Sequence, residues 1–105
     1  MKQEIVISRI KDVAQKAVPL DGQVLLYGSR ARGDPHKDSD RDLLIILNKP
    51  RIEQSDYDNV VFPFTSLGWD IDENIIPVIY TKEEWAKCSF LPFYKNVERD
   101  KIVLQ

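Results

Sequence analysis

Residues 43 to 47 read Leu43-Leu44-Ile45-Ile46-Leu47, entered through Asp42 and closed by Asn48-Lys49-Pro50. Side chains leave an extended chain alternately to its two sides, so a strand of this composition has no face to offer to water. It is the most strand-like stretch of the chain and predicts a central strand covered on both faces.

Two further runs supply its neighbours. Val24-Leu25-Leu26-Tyr27, bounded by Gly22 and Gly28, predicts a short buried strand, and Ile75-Ile76-Pro77-Val78-Ile79-Tyr80 predicts a third. Pro77 has no N–H to give to a ladder, which places that third strand at a sheet edge. From Glu4 to Ala17, Val6, Ile10, Val13, Ala14 and Ala17 recur at steps of three and four, the stripe of an amphipathic helix that Pro19 stops. Tyr57, Val60, Val61, Phe64 and Leu67 also have helical spacing, with Ser55 placed as N-cap. Pro63 falls inside that stretch, where it removes a backbone bond and costs ~3 kcal/mol in a regular helix, so a kink or two short pieces are expected. Thr81 over Glu84 forms a capping box, Pro92 suits the first turn of a last helix through Phe93, Tyr94 and Val97, and Ile102-Val103-Leu104 predicts a terminal strand. The order αβαβαβαα reads as a small α/β or α+β domain of two packed layers. Trp69, Trp85, Phe90, Phe93 and Tyr94 are expected mostly in the core, and any exposed share of the last four would mark a protein interface.

The 105 residues make one domain, 1–105, at 43 % apolar and 30 % charged. With 15 basic and 17 acidic residues the net charge is −2, so no global basic field exists to hold a nucleic-acid backbone. Cys88 is the single cysteine and cannot form an internal disulfide, and no Cys/His pair has zinc-ligand spacing. Charges throughout the first twenty residues break any secretory apolar region, and no segment approaches the ~18 apolar residues of a membrane span. The expectation is a cytoplasmic protein with no membrane partner.

Chemistry concentrates in residues 28 to 42, Gly28-Ser29-Arg30-Ala31-Arg32-Gly33-Asp34-Pro35-His36-Lys37-Asp38-Ser39-Asp40-Arg41-Asp42. A P-loop would need Lys and Ser/Thr where Asp34 and Pro35 stand. A calcium loop starting at Asp38 would need Gly and Glu where Leu43 and Lys49 stand. A plain polar loop with cancelling charges remains open, and His36 reads as solvated decoration within it. Against that, Asp40 and Asp42 lie two apart at a strand entrance and leave on the same face, with Cα atoms ~6.6–7 Å apart. Carboxylates converging to about 4 Å repel by about 4 kcal/mol at an effective dielectric near 20, whereas Mg²⁺ ions ~3.5–4 Å apart fit such a pair. Gly28 lets the backbone turn closely past a ligand, and the N–H groups and hydroxyl at Ser29 form a phosphate cradle. Arg30 and Arg32 stand ready to neutralise a polyphosphate.

Gly28-Ser29-Arg30-Ala31-Arg32-Gly33 followed by Ser39-Asp40-Arg41-Asp42-Leu43 resembles the G-S-x-A-x-G…S-D-x-D-L signature of the polymerase-beta-type nucleotidyltransferases, and more narrowly the minimal nucleotidyltransferase group. The resemblance implies a short mixed sheet of three to four strands flanked by helices. It implies Mg²⁺ on Asp40 and Asp42, a nucleoside triphosphate held by Gly28, Ser29, Arg30, Arg32 and Ser39, and transfer of a nucleotidyl group such as AMP to a hydroxyl. It also implies a helical HEPN-type partner in a toxin–antitoxin pair, on which some members adenylylate a tyrosine. A third carboxylate is expected on the next strand, at a place that falls at Asn74 or Ile76. Asp72 is the better of the nearby acids to replace it, provided that the strand starts early enough to aim it inward. Without it, the alternative is a non-catalytic, antitoxin-like or regulatory nucleotide-binding module.

Overall fold

The computed structural model describes residues 2–33 and 40–105. Helix α1 (Gln3–Ala17) buries Val6, Ile10 and Ala14 and ends where Val18 turns extended ahead of Pro19. Strand β1 (Gln23–Tyr27) leads through Gly28 into a single helical turn, α2 (Ser29–Arg32), and β2 (Arg41–Leu47) follows. The segment after β2 is built from a short α3 (Gln54–Asp56), a wide turn over Tyr57–Val61 and α4 (Phe62–Ile71). Then come β3 (Ile75–Thr81), α5 (Lys82–Lys87), α6 (Pro92–Asp100) and β4 (Ile102–Val103).

The four strands form one mixed sheet in the order β3-β2-β1-β4. β2 is antiparallel to β1 (Leu44 opposite Leu25) and parallel to β3 (Leu44 opposite Val78), and β1 is antiparallel to β4. β2 is therefore central and β3 an edge, as Pro77 required. Arg41 N–H donates to the Asn74 carbonyl at 2.9 Å. By the alternation of a parallel ladder, Pro77 then lacks its N–H on the solvent side, where no partner strand needs it.

Leu43, Ile45 and Leu47, with Val24 and Leu26, pack on α1 and α4 through Val6, Ile10, Phe64 and Leu67. Leu44, Ile46 and Leu25 pack on the opposite side against Trp85 of α5 and Val97 of α6. Helices thus cover both faces, giving three layers where two were expected. The apolar run of β2 requires this, since either bare face would leave fully apolar side chains in water.

One local reading is also corrected, and the break expected at Pro63 is found. The helix after β2 is capped not by Ser55 but at Glu53, whose N–H donates to the buried Asp56 carboxylate at 2.8 Å, while Lys49 pairs with the same carboxylate at 2.8 Å. Pro63 falls on the second residue of α4, and the wide turn before it absorbs the missing donor: Phe62 N–H reaches back five residues to the Tyr57 carbonyl. The Thr81–Glu84 capping box forms as read, with Glu84 N–H donating to Thr81 Oγ1 at 3.0 Å and Thr81 N–H to Glu84 Oε1 at 2.8 Å. Of the aromatics, Trp85 is buried and stacks on Tyr94, but Trp69 is 70 % exposed and Phe90 73 %, both outside the core. Among the described residues no helix is long and apolar enough to cross a membrane.

Candidate functional site

The β1–α2 turn and the start of β2 meet at one end of the two inner strands. Tyr27 lies directly opposite Asp42 in the β1–β2 pair, so the chain leaves β1 at Gly28 beside that carboxylate. Gly28 has φ 76° and ψ −161°, a conformation open essentially only to glycine. A Cβ on Gly28 would come within 2.5 Å of Asp42 Oδ2. Glycine is needed twice here, for the backbone angle and for the space the carboxylate occupies. Beyond it, Ala31 and Arg32 N–H groups close onto the Gly28 carbonyl at 3.0 Å, making the single turn of α2.

Asp42 is half-buried on the face that also carries Leu44 and Ile46. Burial raises its carboxyl above the ordinary value, the neighbouring Asp40 charge raises it further, and Arg32 acts in the opposite sense. The two carboxylates thus act on each other across one strand face, as their spacing of two residues predicts. Burial, reinforced by Asp42 and Tyr80, pushes the Tyr27 hydroxyl up to about 12, so it stays protonated at neutral pH. Arg32 also reaches Asp100 of α6 at 3.6 Å, and Gln3 Nε2 of α1 donates to the Arg30 carbonyl at 3.2 Å.

The entrance of β2 is gripped from both sides by the start of β3. On the Asp40/Asp42 face, Asn74 Nδ2 donates to Asp40 Oδ1 at 2.5 Å. On the opposite face, Arg41 is 2 % exposed and its guanidinium meets Glu73 Oε2 at 2.6 Å. Burial lowers the Arg41 pKa, with Glu73 opposing the shift, and Arg41 Nε is buried without a hydrogen-bond partner among the described residues. Glu73 and Asn74 thus hold Arg41 and Asp40 on opposite faces at once.

The acids that precede β3 are Asp70, Asp72 and Glu73, of which Asp72 was the expected one. Asp72 is the left-handed C-cap of α4 (φ 55°), with its N–H on the Gly68 carbonyl, and β3 begins only at Ile75. Gly68 makes that tight return possible, since a Cβ there would stand 2.6 Å from the Glu73 carbonyl oxygen. The condition for Asp72 to point inward is not met, because the chain is still turning where an earlier strand was needed. Asp70 is still within α4, and Glu73 faces away toward Arg41. Ile76, not an acid, lies opposite Asp42. Among the described residues no group of three His, Cys, Asp or Glu converges as a metal site. Ser39 and His36 fall outside the described residues.

The donor set that remains is a pair of hard carboxylate oxygens on one strand face, which fits Mg²⁺ rather than a softer metal. Tyr27 and Arg41 belong to this constellation but were not assigned a role from the sequence, and Asn74 was named there only as the place of an expected carboxylate, not as the partner of Asp40. For Tyr27 the available signal was its place immediately before Gly28; for the other two it was the β2–β3 register, which involves residues more than thirty positions apart.

Residues 7–103 match the model of the nucleotidyltransferase domain. No curated protein matches at a significant level. Among solved structures, a chain of a toxin–antitoxin complex with AMP-PNP superposes with a TM-score of 0.66 at 16 % identity, covering 94 % of this chain and 72 % of that one. A chain from the complex of the tri-AMPylated Shewanella oneidensis HEPN toxin with its MNT antitoxin gives 0.63 at 13 % identity, covering 99 % and 72 %. A nucleotidyltransferase of Sulfolobus solfataricus, itself described as putative, gives 0.58 at 20 % identity, covering 96 % and 80 %. At these identities the likeness is one of fold.

Proposed function

Since this chain belongs to the nucleotidyltransferase domain family, we propose that it binds Mg²⁺–ATP and transfers AMP to a hydroxyl on a small helical HEPN-type partner, as the antitoxin half of a toxin–antitoxin pair in the cytoplasm. The observation that carries this reading is the Asp42 carboxylate lying against Gly28, with Asp40 beside it on the same strand face. That juxtaposition supports reading the two acids as a metal site beside a turn suited to phosphate. The fold shared with the AMP-PNP complex and with the antitoxin of the AMPylated HEPN toxin supports the choice of nucleotide and partner.

In this reading Gly28 and Ser29 receive the phosphates, with Arg30, Arg32 and Ser39 contributing positive charge and a hydroxyl. α2 is a single turn, so its contribution is that of local N–H groups rather than of a helix dipole. Asp40 and Asp42 would hold Mg²⁺, which would neutralise the phosphates and polarise the α-phosphorus. Asn74 fixes the orientation of Asp40, and Gly28 fixes the approach of Asp42. Asp72, expected as a further catalytic acid, has no part in this scheme.

A second reading, a nucleotide-binding module without turnover, is favoured by one feature: β3 brings Asn74 and Ile76 to this face and no carboxylate. One experiment addresses both. ATP is titrated by calorimetry with and without Mg²⁺, and labelled ATP is then incubated with Mg²⁺ and a HEPN-type partner, comparing wild type with Asp40→Asn and Asp42→Asn. The proposal expects metal-dependent binding and label on the partner, both lost in the two variants. Equal ATP affinity with and without Mg²⁺ removes the metal role. Tight Mg²⁺–ATP binding with no label transferred supports the non-catalytic module.

A further inference from the structure

We infer that Gln3, in the first turn of α1, is a positioning residue for the β1–α2 turn: its side-chain amide clamps the peptide that sets Gly28 and Ser29 in place for phosphate. The inference rests on the nucleotide-binding reading above and adds to it a residue from an element outside residues 28 to 42.

Placement comes first. Gln3, Val6, Ile10 and Ala14 follow one another at steps of three, four and four, so Gln3 heads the stripe whose other three members are fully buried. That stripe sits in the core on one side of the sheet, and Ala31 of α2 packs against the same cluster. The start of α1 is thus a firm platform beside the turn, and Gln3 is the polar end of its buried face.

The contact follows from that placement. Gln3 Nε2 donates to the Arg30 carbonyl at 3.2 Å. Exchanging the amide's nitrogen and oxygen would set two acceptors against each other, so the carbonyl itself fixes the amide's orientation. A peptide group is planar, so the Arg30 carbonyl and the Ala31 N–H move as one unit. That N–H donates to the Gly28 carbonyl at 3.0 Å. Gln3 is therefore linked through one rigid peptide to Gly28, the residue that lies against the Asp42 carboxylate. α2 has only four residues, and so short a turn does not hold its own shape, because forming it fixes several backbone angles for very few hydrogen bonds. Its geometry is set from outside, and Gln3 sets it from a helix anchored in the core.

A second observation separates positioning from packing. Gln3 Oε1 is buried without a hydrogen-bond partner among the described residues. A buried acceptor left unpaired is unfavourable, and an apolar side chain of similar length would avoid it. Glutamine is a poor filler for this place and a good donor to the Arg30 carbonyl.

The test compares wild type with Gln3→Met, which keeps the length and removes the amide, and with Gln3→Glu, which sets an acceptor against the carbonyl. An acid in the first turn suits a helix start, so Gln3→Glu keeps α1 formed. Calorimetry gives the affinity for Mg²⁺–ATP, and thermal unfolding gives Tm. Amide exchange in NMR spectra follows Ala31 and Arg32, whose N–H groups close the turn, and Leu44 in the central strand. Gln3→Met should leave Tm unchanged, because a hydrogen bond and an unpaired acceptor are lost together. Exchange at Ala31 and Arg32 should rise about tenfold with Leu44 unaffected, and Mg²⁺–ATP affinity should fall about tenfold, further in Gln3→Glu. Affinity within about twofold of wild type in both variants would overturn the inference, as would exchange raised at Leu44 as much as at Ala31, the mark of a general stabiliser. If wild type binds no Mg²⁺–ATP, the nucleotide reading fails separately and exchange decides the clamp. Faster exchange at Ala31 and Arg32 in Gln3→Met then upholds it, and unchanged exchange overturns it.

Discussion

Gly28→Ala tests the geometry at the centre of the site. At φ 76° and ψ −161° an alanine is strained by about 1–3 kcal/mol whatever surrounds it. Its Cβ would also stand 2.5 Å from Asp42 Oδ2, about 0.9 Å short of ordinary contact at 3.4 Å. The carboxylate must rotate away, which adds about 0.5–1.5 kcal/mol for an unfavourable rotamer. The total destabilisation expected is about 2–4 kcal/mol. Because a displacement on the order of 1 Å can cost about 10²-fold in a positioned reaction, Mg²⁺–ATP binding and transfer should fall further than stability does.

The two contributions separate in a double-mutant cycle. In an Asp42→Ala background the obstructing oxygen is gone and Gly28→Ala should cost only the backbone strain, leaving a coupling of about 1 kcal/mol. Urea unfolding of the four proteins without metal measures this directly. Equal costs in the two backgrounds, within about 0.3–0.5 kcal/mol, would refute the claim that Gly28 makes room for the Asp42 carboxylate.

Arg41→Met removes one partner of a buried ion pair and leaves Glu73 facing the gap; because the Glu73 side chain keeps 17 % exposure, the loss should be about 2–4 kcal/mol in urea unfolding, with much of it recovered in Arg41→Met/Glu73→Gln. Asp56→Ala should cost about 1–2 kcal/mol at pH 7. Burial opposes the Asp56 charge, but hydrogen bonds from Lys49 and from the Glu53 N–H outweigh it and hold the carboxyl below the ordinary range. Its contribution is therefore complete above the unfolded value of about 3.9 and is lost as pH falls through the lower folded value, so Tm curves of variant and wild type should converge only in that acid range.

What could be read from the sequence was what depends on neighbours along the chain. The two-residue spacing of Asp40 and Asp42 specifies a shared face, and the Thr81–Glu84 box specifies a helix start, without knowledge of anything distant. Pro77 implied an edge because its missing donor matters only where a partner strand would need it. Ser55 failed as a cap because Asp56 had a second offer, Lys49, that no local pattern announces. Trp69 was assigned to the core by its type, yet it lies on the outer side of α4, while Phe64 and Leu67 supply that helix's buried contacts.

The acids before β3 show most sharply where local reading stops. Asp72 could point inward only if a strand had begun by then, and Gly68 and the left-handed Asp72 delay that beginning to Ile75. What then decides the chemistry is the pairing of residues 73–74 with 40–41. Glu73 is held by Arg41 on the face away from Asp40 and Asp42, and on the other face an amide rather than an acid meets Asp40. Exchanging the order of these two neighbours would put a carboxylate beside Asp40 and an amide against the buried Arg41 guanidinium. The site would gain a proton acceptor while the core lost the countercharge of a buried cation, a loss of about 2–4 kcal/mol for a pair whose acid is partly exposed. The observed order therefore favours the stability of the β2 entrance over a third carboxylate.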